Sequence, residues 1–148
     1  MLERLYNHER IALDFDYTLV DHKNSELLHD FVCQEWQRRS IWIVTHRQEG
    51  WAKTIWEDLE HASYGHLCEE MFSGAICCPK TVYAGHLVGV SDDDPRVKRF
   101  LNWKGSVCVQ NKITALVDDS PDINKDGCLT KGVEFIFTDD LKPVVIPR

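Results

Sequence analysis

Three short stretches of this 148-residue chain gather side chains that could do chemistry: Asp14-Phe15-Asp16-Tyr17-Thr18-Leu19, Thr45-His46-Arg47 and Asp118-Asp119-Ser120-Pro121. Each follows an apolar run. If those runs are strands of one sheet, the carboxylates of Asp14, Asp16, Asp118 and Asp119 meet at one edge. Like charges packed that closely repel and raise one another's pKa unless a cation compensates them. An all-oxygen donor set suits a hard divalent ion such as Mg²⁺, so the residue types imply a metal. Side chains alternate along a strand, so Asp16 is expected on the turn leaving the strand. One of Asp14 and Asp16 can then bind metal while the other faces a substrate.

The elements that must position these groups alternate between apolar runs and helical periodicity. Residues 11–16 read as a short buried strand. Asn24-Ser25 then offers cap oxygens for a helix to about Arg39, with Leu27, Leu28, Phe31, Val32 and Trp36 on one face. Residues 41–44 form a second strand, followed by a helix over about 49–61 carrying Trp51, Ile55, Trp56 and Leu59. A third strand lies within 71–78. Asp94-Pro95 caps and opens a helix through Val97, Phe100 and Leu101, which restarts near Lys104 and runs to Gln110. Residues 113–117 and 133–137 are the fourth and fifth strands. Strands without polar alternation, separated by helices, predict an α/β fold: a doubly wound, Rossmann-like parallel sheet of about five strands with helices on both faces. The expected organisation is one domain over 1–148, with a small irregular insertion around 64–94. Ligands of such sheets bind outside the carboxyl ends of the strands, where the three stretches lie.

The strand end Asp14-Phe15-Asp16-Tyr17-Thr18 resembles the first motif, DxDx(T/V), of the haloacid dehalogenase superfamily. Thr45 resembles its motif-two hydroxyl, Lys104 its motif-three lysine and Asp118-Asp119 its motif-four acidic pair, in the family's order and across most of the chain. The resemblance implies a Mg²⁺-dependent phosphomonoester hydrolase in which Asp14 attacks phosphorus to form an aspartyl-phosphate. Asp16 would protonate the leaving oxygen and then deprotonate the hydrolytic water. It implies metal contacts from Asp14, the Asp16 backbone carbonyl and Asp119, with Asp118 as a neighbouring or water-mediated partner. Thr45 and a lysine would hold the phosphoryl oxygens, helped by backbone N–H groups near Phe15 and His46. Lys104 is preferred for the lysine and Lys112 is the alternative, because a residue entering a parallel strand starts at the far sheet end. His46 and Arg47 are candidates for the substrate's non-phosphate part. The further acid that some members carry is replaced here by Ile123, with Asp122 and Asp126 nearby.

Plainer readings compete for several of these residues. Acidic pairs can cap helices, and an isolated Lys104 would be a solvated helix charge. Cys77-Cys78 are adjacent, so His61, His66, Cys68, Cys77 and Cys78 lack zinc-ligand spacing. Trp36, Trp51, Trp56 and Trp103 recur at helical spacing and are expected to pack in the core or at its edge rather than stack on bases. Asp92-Asp93-Asp94 fits a solvated loop at a helix start. A formal charge of −7 argues against a broad nucleic-acid-binding face, and no apolar run reaches the roughly 20 residues that span a bilayer. With mixed charge at the N-terminus and six scattered cysteines, the expectation is a cytoplasmic chain that needs no disulfides. The resemblance, with connections too short for the cap many family members insert, implies a nearly capless enzyme whose open site takes a nucleotide, a nucleic-acid end such as a polynucleotide 3′-phosphate, a sugar phosphate or a phosphoprotein. A homo-oligomer could supply a lid. The alternative is a non-catalytic phosphate-binding or regulatory domain on the same fold. Phosphotransfer to an acceptor other than water is a third.

Overall fold

A computed structural model describes residues 2–62, 67–82 and 89–143. Five parallel strands form one sheet in the order β3-β2-β1-β4-β5. They are β1 (Arg10–Leu13), β2 (Ser40–Gln48), β3 (Gly74–Cys78), β4 (Ala115–Asp118) and β5 (Glu134–Phe137). The helices are α1 (Ser25–Glu35), α2 (Ala52–Glu60), α3 (Pro95–Gln110) and α4 (Pro121–Leu129). The α/β fold and its parallel sheet of five strands match the sequence expectation.

Alternation along the strands feeds two cores, because successive side chains point to opposite faces. Ile11 and Leu13 of β1 join Leu28, Phe31, Ile55 and Leu59 from α1 and α2 on one face. Ala12 between them joins Trp103, Val107, Cys108 and Cys128 from α3 and α4 on the other. A sheet covered on both faces has no room for a polar alternation, which is why these strands read as continuous apolar runs. The strand order reverses between β1 and β4, and there the carboxyl ends of two adjacent strands open a crevice. The Asp14 amide donates to the Val117 carbonyl at 2.9 Å, so Asp14 and Asp118 stand side by side on its floor.

Several boundaries differ from the sequence reading. The first helix ends at Glu35, not Arg39: the chain must turn to deliver Ser40 to the sheet, where its amide bonds the Glu9 carbonyl at 2.8 Å. Asn24 and Ser25 do not cap it. Asn24 Nδ2 donates to the Thr138 carbonyl and the Ser25 hydroxyl to the Thr18 carbonyl, so both are used to tie down the loop after β1. The second strand extends to Gln48 through a register shift against β3 between Thr45 and Gln48. The helix expected to restart near Lys104 is one uninterrupted α3, capped as expected by Asp94, whose carboxylate accepts from the Arg96 amide at 2.8 Å. Of the expected insertion, residues 64–66 and 83–88 lie outside the described residues.

Helices α3 and α4 touch at two glycines. A Cβ on Gly105 would lie 2.4 Å from the Gly127 carbonyl oxygen, and one on Gly127 would lie 2.7 Å from the Leu101 carbonyl oxygen. Only hydrogen fits at either position. This close approach fixes the height of α3 where it delivers Lys104.

Candidate functional site

A cleft of about 170 Å³ opens at the carboxyl end of the sheet, and Asp14, Asp16, Thr45, His46, Arg47, Lys104, Asp118 and Asp119 all line it. The structure therefore brings together every side chain singled out as a site candidate. Lys112, the alternative lysine, is not among them: it sits exposed in the turn after α3 with φ of 58°, whereas Lys104 lines the cleft.

The floor of the cleft is a buried triad. Lys104, 2% exposed, donates from Nζ to Asp14 Oδ1 and to Asp118 Oδ2, each at 2.7 Å. Burial works against its ammonium, but the two carboxylates outweigh it and hold the lysine pKa above its ordinary value. Asp14 is pushed well above the usual carboxylate range, first by burial and then by Asp118, with Lys104 opposing. With both acids ionised, the one cation between them leaves a net negative charge.

Asp118 has little left to offer. Its Oδ2 takes Lys104 and, at 3.2 Å, Asn124 Nδ2, and its Oδ1 takes the Ser120 amide at 2.7 Å. Asp119 is only partly buried at the cleft wall. Carboxylate oxygens of Asp14, Asp118 and Asp119 lie within 4.8 Å of one another, an all-oxygen set whose unrelieved charge fits a hard divalent ion. This is the metal-capable cluster among the described residues.

The loop that carries Asp16 folds over the Phe15 carbonyl, which accepts from the amides of Thr18, Leu19 and Val20 at 3.0–3.3 Å. Tyr17 adopts φ of 58° there. The loop is pinned from behind by the buried Thr18 and Thr138 hydroxyls, 2.9 Å apart, so Thr18 is a tie rather than a cleft residue. Asp16 lies beyond the end of β1, on the turn as expected, but it is not free. Arg47 grips it with two parallel bonds, Nε to Oδ2 at 2.9 Å and Nη2 to Oδ1 at 2.8 Å, the fork geometry that guanidinium offers and lysine cannot. Arg47 also donates to Asp58 Oδ2 at 2.8 Å and Thr54 Oγ1 at 2.9 Å, and its guanidinium lies 4.7 Å from the centre of the Phe15 ring. The hydrogen bonds that Arg47 donates to Asp16 and Asp58 raise its pKa further.

The register shift in β2 aims three consecutive side chains differently, as bulges do. The Thr45 hydroxyl is buried and accepts the Arg47 amide at 3.1 Å, which leaves its own hydrogen to donate. Arg47 turns toward Asp16. The His46 ring stacks on Phe100 with centroids 4.3 Å apart and lies 5.7 Å from Trp103. Burial first, and Lys104 second, bring its pKa down to about 3, so it is a neutral ring at physiological pH and not a cation for an anionic substrate. Its Nε2 and the Oδ1 of Asn124 are buried with no hydrogen-bond partner among the described residues.

The sequence names Tyr17 and Ser120 only as members of their stretches and does not single out Asn124, Thr54 or Asp58. Signals existed for these last three: Asn124 follows Ser120 at i, i+4 on α4, and Thr54 and Asp58 share that spacing on the helix directly after Arg47. Trp51 was expected in the core or at its edge and is instead 61% exposed, because it precedes α2 rather than lying on its buried stripe of Ile55 and Leu59. All six cysteines are free. Burial pushes Cys78 up to about 11 and Cys108 and Cys128 up to about 12, which makes them packing groups, not nucleophiles. Among the described residues, no helix is long and apolar enough to cross a membrane.

No protein-family model matches the chain, and none of the curated proteins matches it either. Among solved structures it is similar to an uncharacterized protein from Corynebacterium glutamicum ATCC 13032, with 14% sequence identity, a TM-score of 0.50, and coverage of 87% of this chain and 83% of that one. At that identity the likeness concerns the fold alone.

Proposed function

We propose that the chain is a Mg²⁺-dependent phosphomonoester hydrolase of the haloacid dehalogenase type, working through an aspartyl-phosphate on Asp14. The observation that carries this reading is the convergence of Asp14, Thr45, Lys104 and Asp119, from four separate segments, on one cleft at the switch point of the sheet. An Asp14 oxygen forms a bond to phosphorus as the bond to the leaving oxygen breaks. Asp16 gives that oxygen a proton, later takes one from water, and the water oxygen displaces Asp14 to release inorganic phosphate. Thr45 and Lys104, both buried at the floor of the cleft, supply donors to the phosphoryl oxygens. Asp14 and Asp119 would hold the ion, with Asp118 behind them. When bound, it would neutralise charge on the phosphoryl group.

The Arg47 fork sets a condition on this chemistry: Asp16 can exchange a proton with substrate only when one of its oxygens leaves Arg47. The same pair favours the second reading, a non-catalytic phosphate-binding domain in which Asp16 is a structural partner. Hydrolysis of p-nitrophenyl phosphate, mononucleotides and a 3′-phosphorylated oligonucleotide, with and without Mg²⁺, separates the two. Metal-dependent turnover that vanishes in Asp14→Asn is expected. Phosphate binding by a folded protein without turnover would support the non-catalytic reading, and turnover surviving in Asp14→Asn would exclude the covalent route.

A further inference from the structure

A second hollow of about 330 Å³ adjoins the cleft, lined by Arg47, Trp51, Thr54 and Asp58. Arg47 is common to both walls: its Nη2 contacts Asp16 on the cleft side and Asp58 on the other, each at 2.8 Å. Whatever leaves phosphorus at Asp14 has this hollow for a neighbour. Nothing in the hydrolytic chemistry uses Trp51 or Asp58.

The lining specifies its ligand. Trp51 is a large aromatic surface left mostly in solvent, whereas indole rings are ordinarily well buried. The Asp58 carboxylate, 48% exposed, gives one oxygen to Arg47 and keeps acceptor capacity on the other. The Thr54 hydroxyl donates to the Trp51 carbonyl at 2.6 Å and accepts from Arg47. Among the described residues the hollow therefore offers a stacking face and hydrogen-bond acceptors, with the cation in its lining, Arg47, already shared between two carboxylates. A matching group is planar, rich in donors and without negative charge of its own. A sugar alone leaves the indole unused. A polynucleotide end or a nucleoside diphosphate would bring further phosphates against Asp16 and Asp58.

We infer that Trp51, Thr54 and Asp58 form a leaving-group subsite for a nucleoside, so that the substrate is a nucleoside monophosphate whose base stacks on Trp51 and whose hydroxyl or amino hydrogens bond Asp58. This rests on the phosphomonoesterase reading.

The test compares kcat/KM for adenosine 5′-monophosphate with that for ribose 5-phosphate, which lacks only the base, in wild type, Trp51→Ala and Asp58→Asn. Stacking is worth enough per base that Trp51→Ala should lower the ratio about tenfold or more, and Asp58→Asn should lower it less. In parallel, the Trp51 indole N–H signal, assigned by its loss in Trp51→Ala, is followed by NMR while adenosine is added. It should shift saturably. An unchanged ratio and an unmoved signal, with phosphatase turnover present, overturn the subsite and leave the hydrolase standing. A saturable shift with no turnover of any phosphomonoester keeps the subsite and removes the hydrolase. Faster turnover of a phosphotyrosine peptide than of the nucleotide, by wild type and Trp51→Ala alike, assigns the open face to a protein substrate and overturns the proposal.

Discussion

Lys104 and Arg47 occupy the same cleft, and each lies between two carboxylates, but on opposite terms. The lysine bonds both Asp14 and Asp118 at 2.7 Å from a position almost without solvent. The arginine is 20% exposed at its side chain, and its partners Asp16 and Asp58 are 41% and 48% exposed. Removing one member of a buried group strands an uncompensated charge, whereas an exposed pair gains little because water and salt replace it. The lysine is thus part of what lets the cleft exist, and the arginine is a contact that a ligand can exchange.

Substitutions can break this contrast. The largest effect is expected for Lys104→Met, which leaves Asp14 and Asp118 facing each other and should cost about 3–5 kcal/mol in urea unfolding. A cost under about 1 kcal/mol would place it with Arg47 and end the distinction. His46, beside Lys104, sharpens the same point through pH. Its folded pKa of about 3 lies below the ordinary 6.5, so its contribution is complete above about 6.5 and is lost as pH falls and the unfolded chain takes the proton first. The loss should reach up to about 3 kcal/mol between pH 7 and pH 4, and His46→Phe should remove that part of the slope. Parallel wild-type and variant profiles would sink this reading of the ring.

Asp14→Asn separates function from stability. Because burial and Asp118 raise the Asp14 pKa, the ionised group is a burden on the metal-free fold, and its removal should add about 1 kcal/mol in chelator. A lower unfolding midpoint would show instead that Lys104 depends on both acids. The smallest effect belongs to Arg47→Gln, under about 1 kcal/mol and shrinking further in 1 M salt. A larger, salt-independent loss would make the arginine as buried in energetic terms as the lysine.

The legible parts of the molecule are those where one local rule decided the outcome. Residues 11–13 and 115–117 are apolar throughout because both faces of the sheet are covered, and that pattern survives in any context. Asp14 and Asp118 could be placed because strand ends of parallel sheets share one side. Arg47 and Asp16 were each legible as site residues, but their mutual grip depends on a shift of register between β2 and β3, and register is a relation between strands that neither one records alone. Trp51 failed for a related reason. Its spacing matches the buried stripe of α2, but it falls before the helix begins, where helical periodicity no longer says which way a side chain points.

The contact of Gly105 with Gly127 makes the cleft vulnerable from behind. Alanine at either position carries no charge and touches nothing in the cleft, yet its methyl would wedge α3 and α4 apart and carry the adjoining Lys104 outward with its helix. Over a salt bridge of 2.7 Å, a displacement of about one ångström suffices to trade an ion pair for a hole. The tolerance of the site is therefore set by the thickness of a hydrogen atom on the opposite side of a helix.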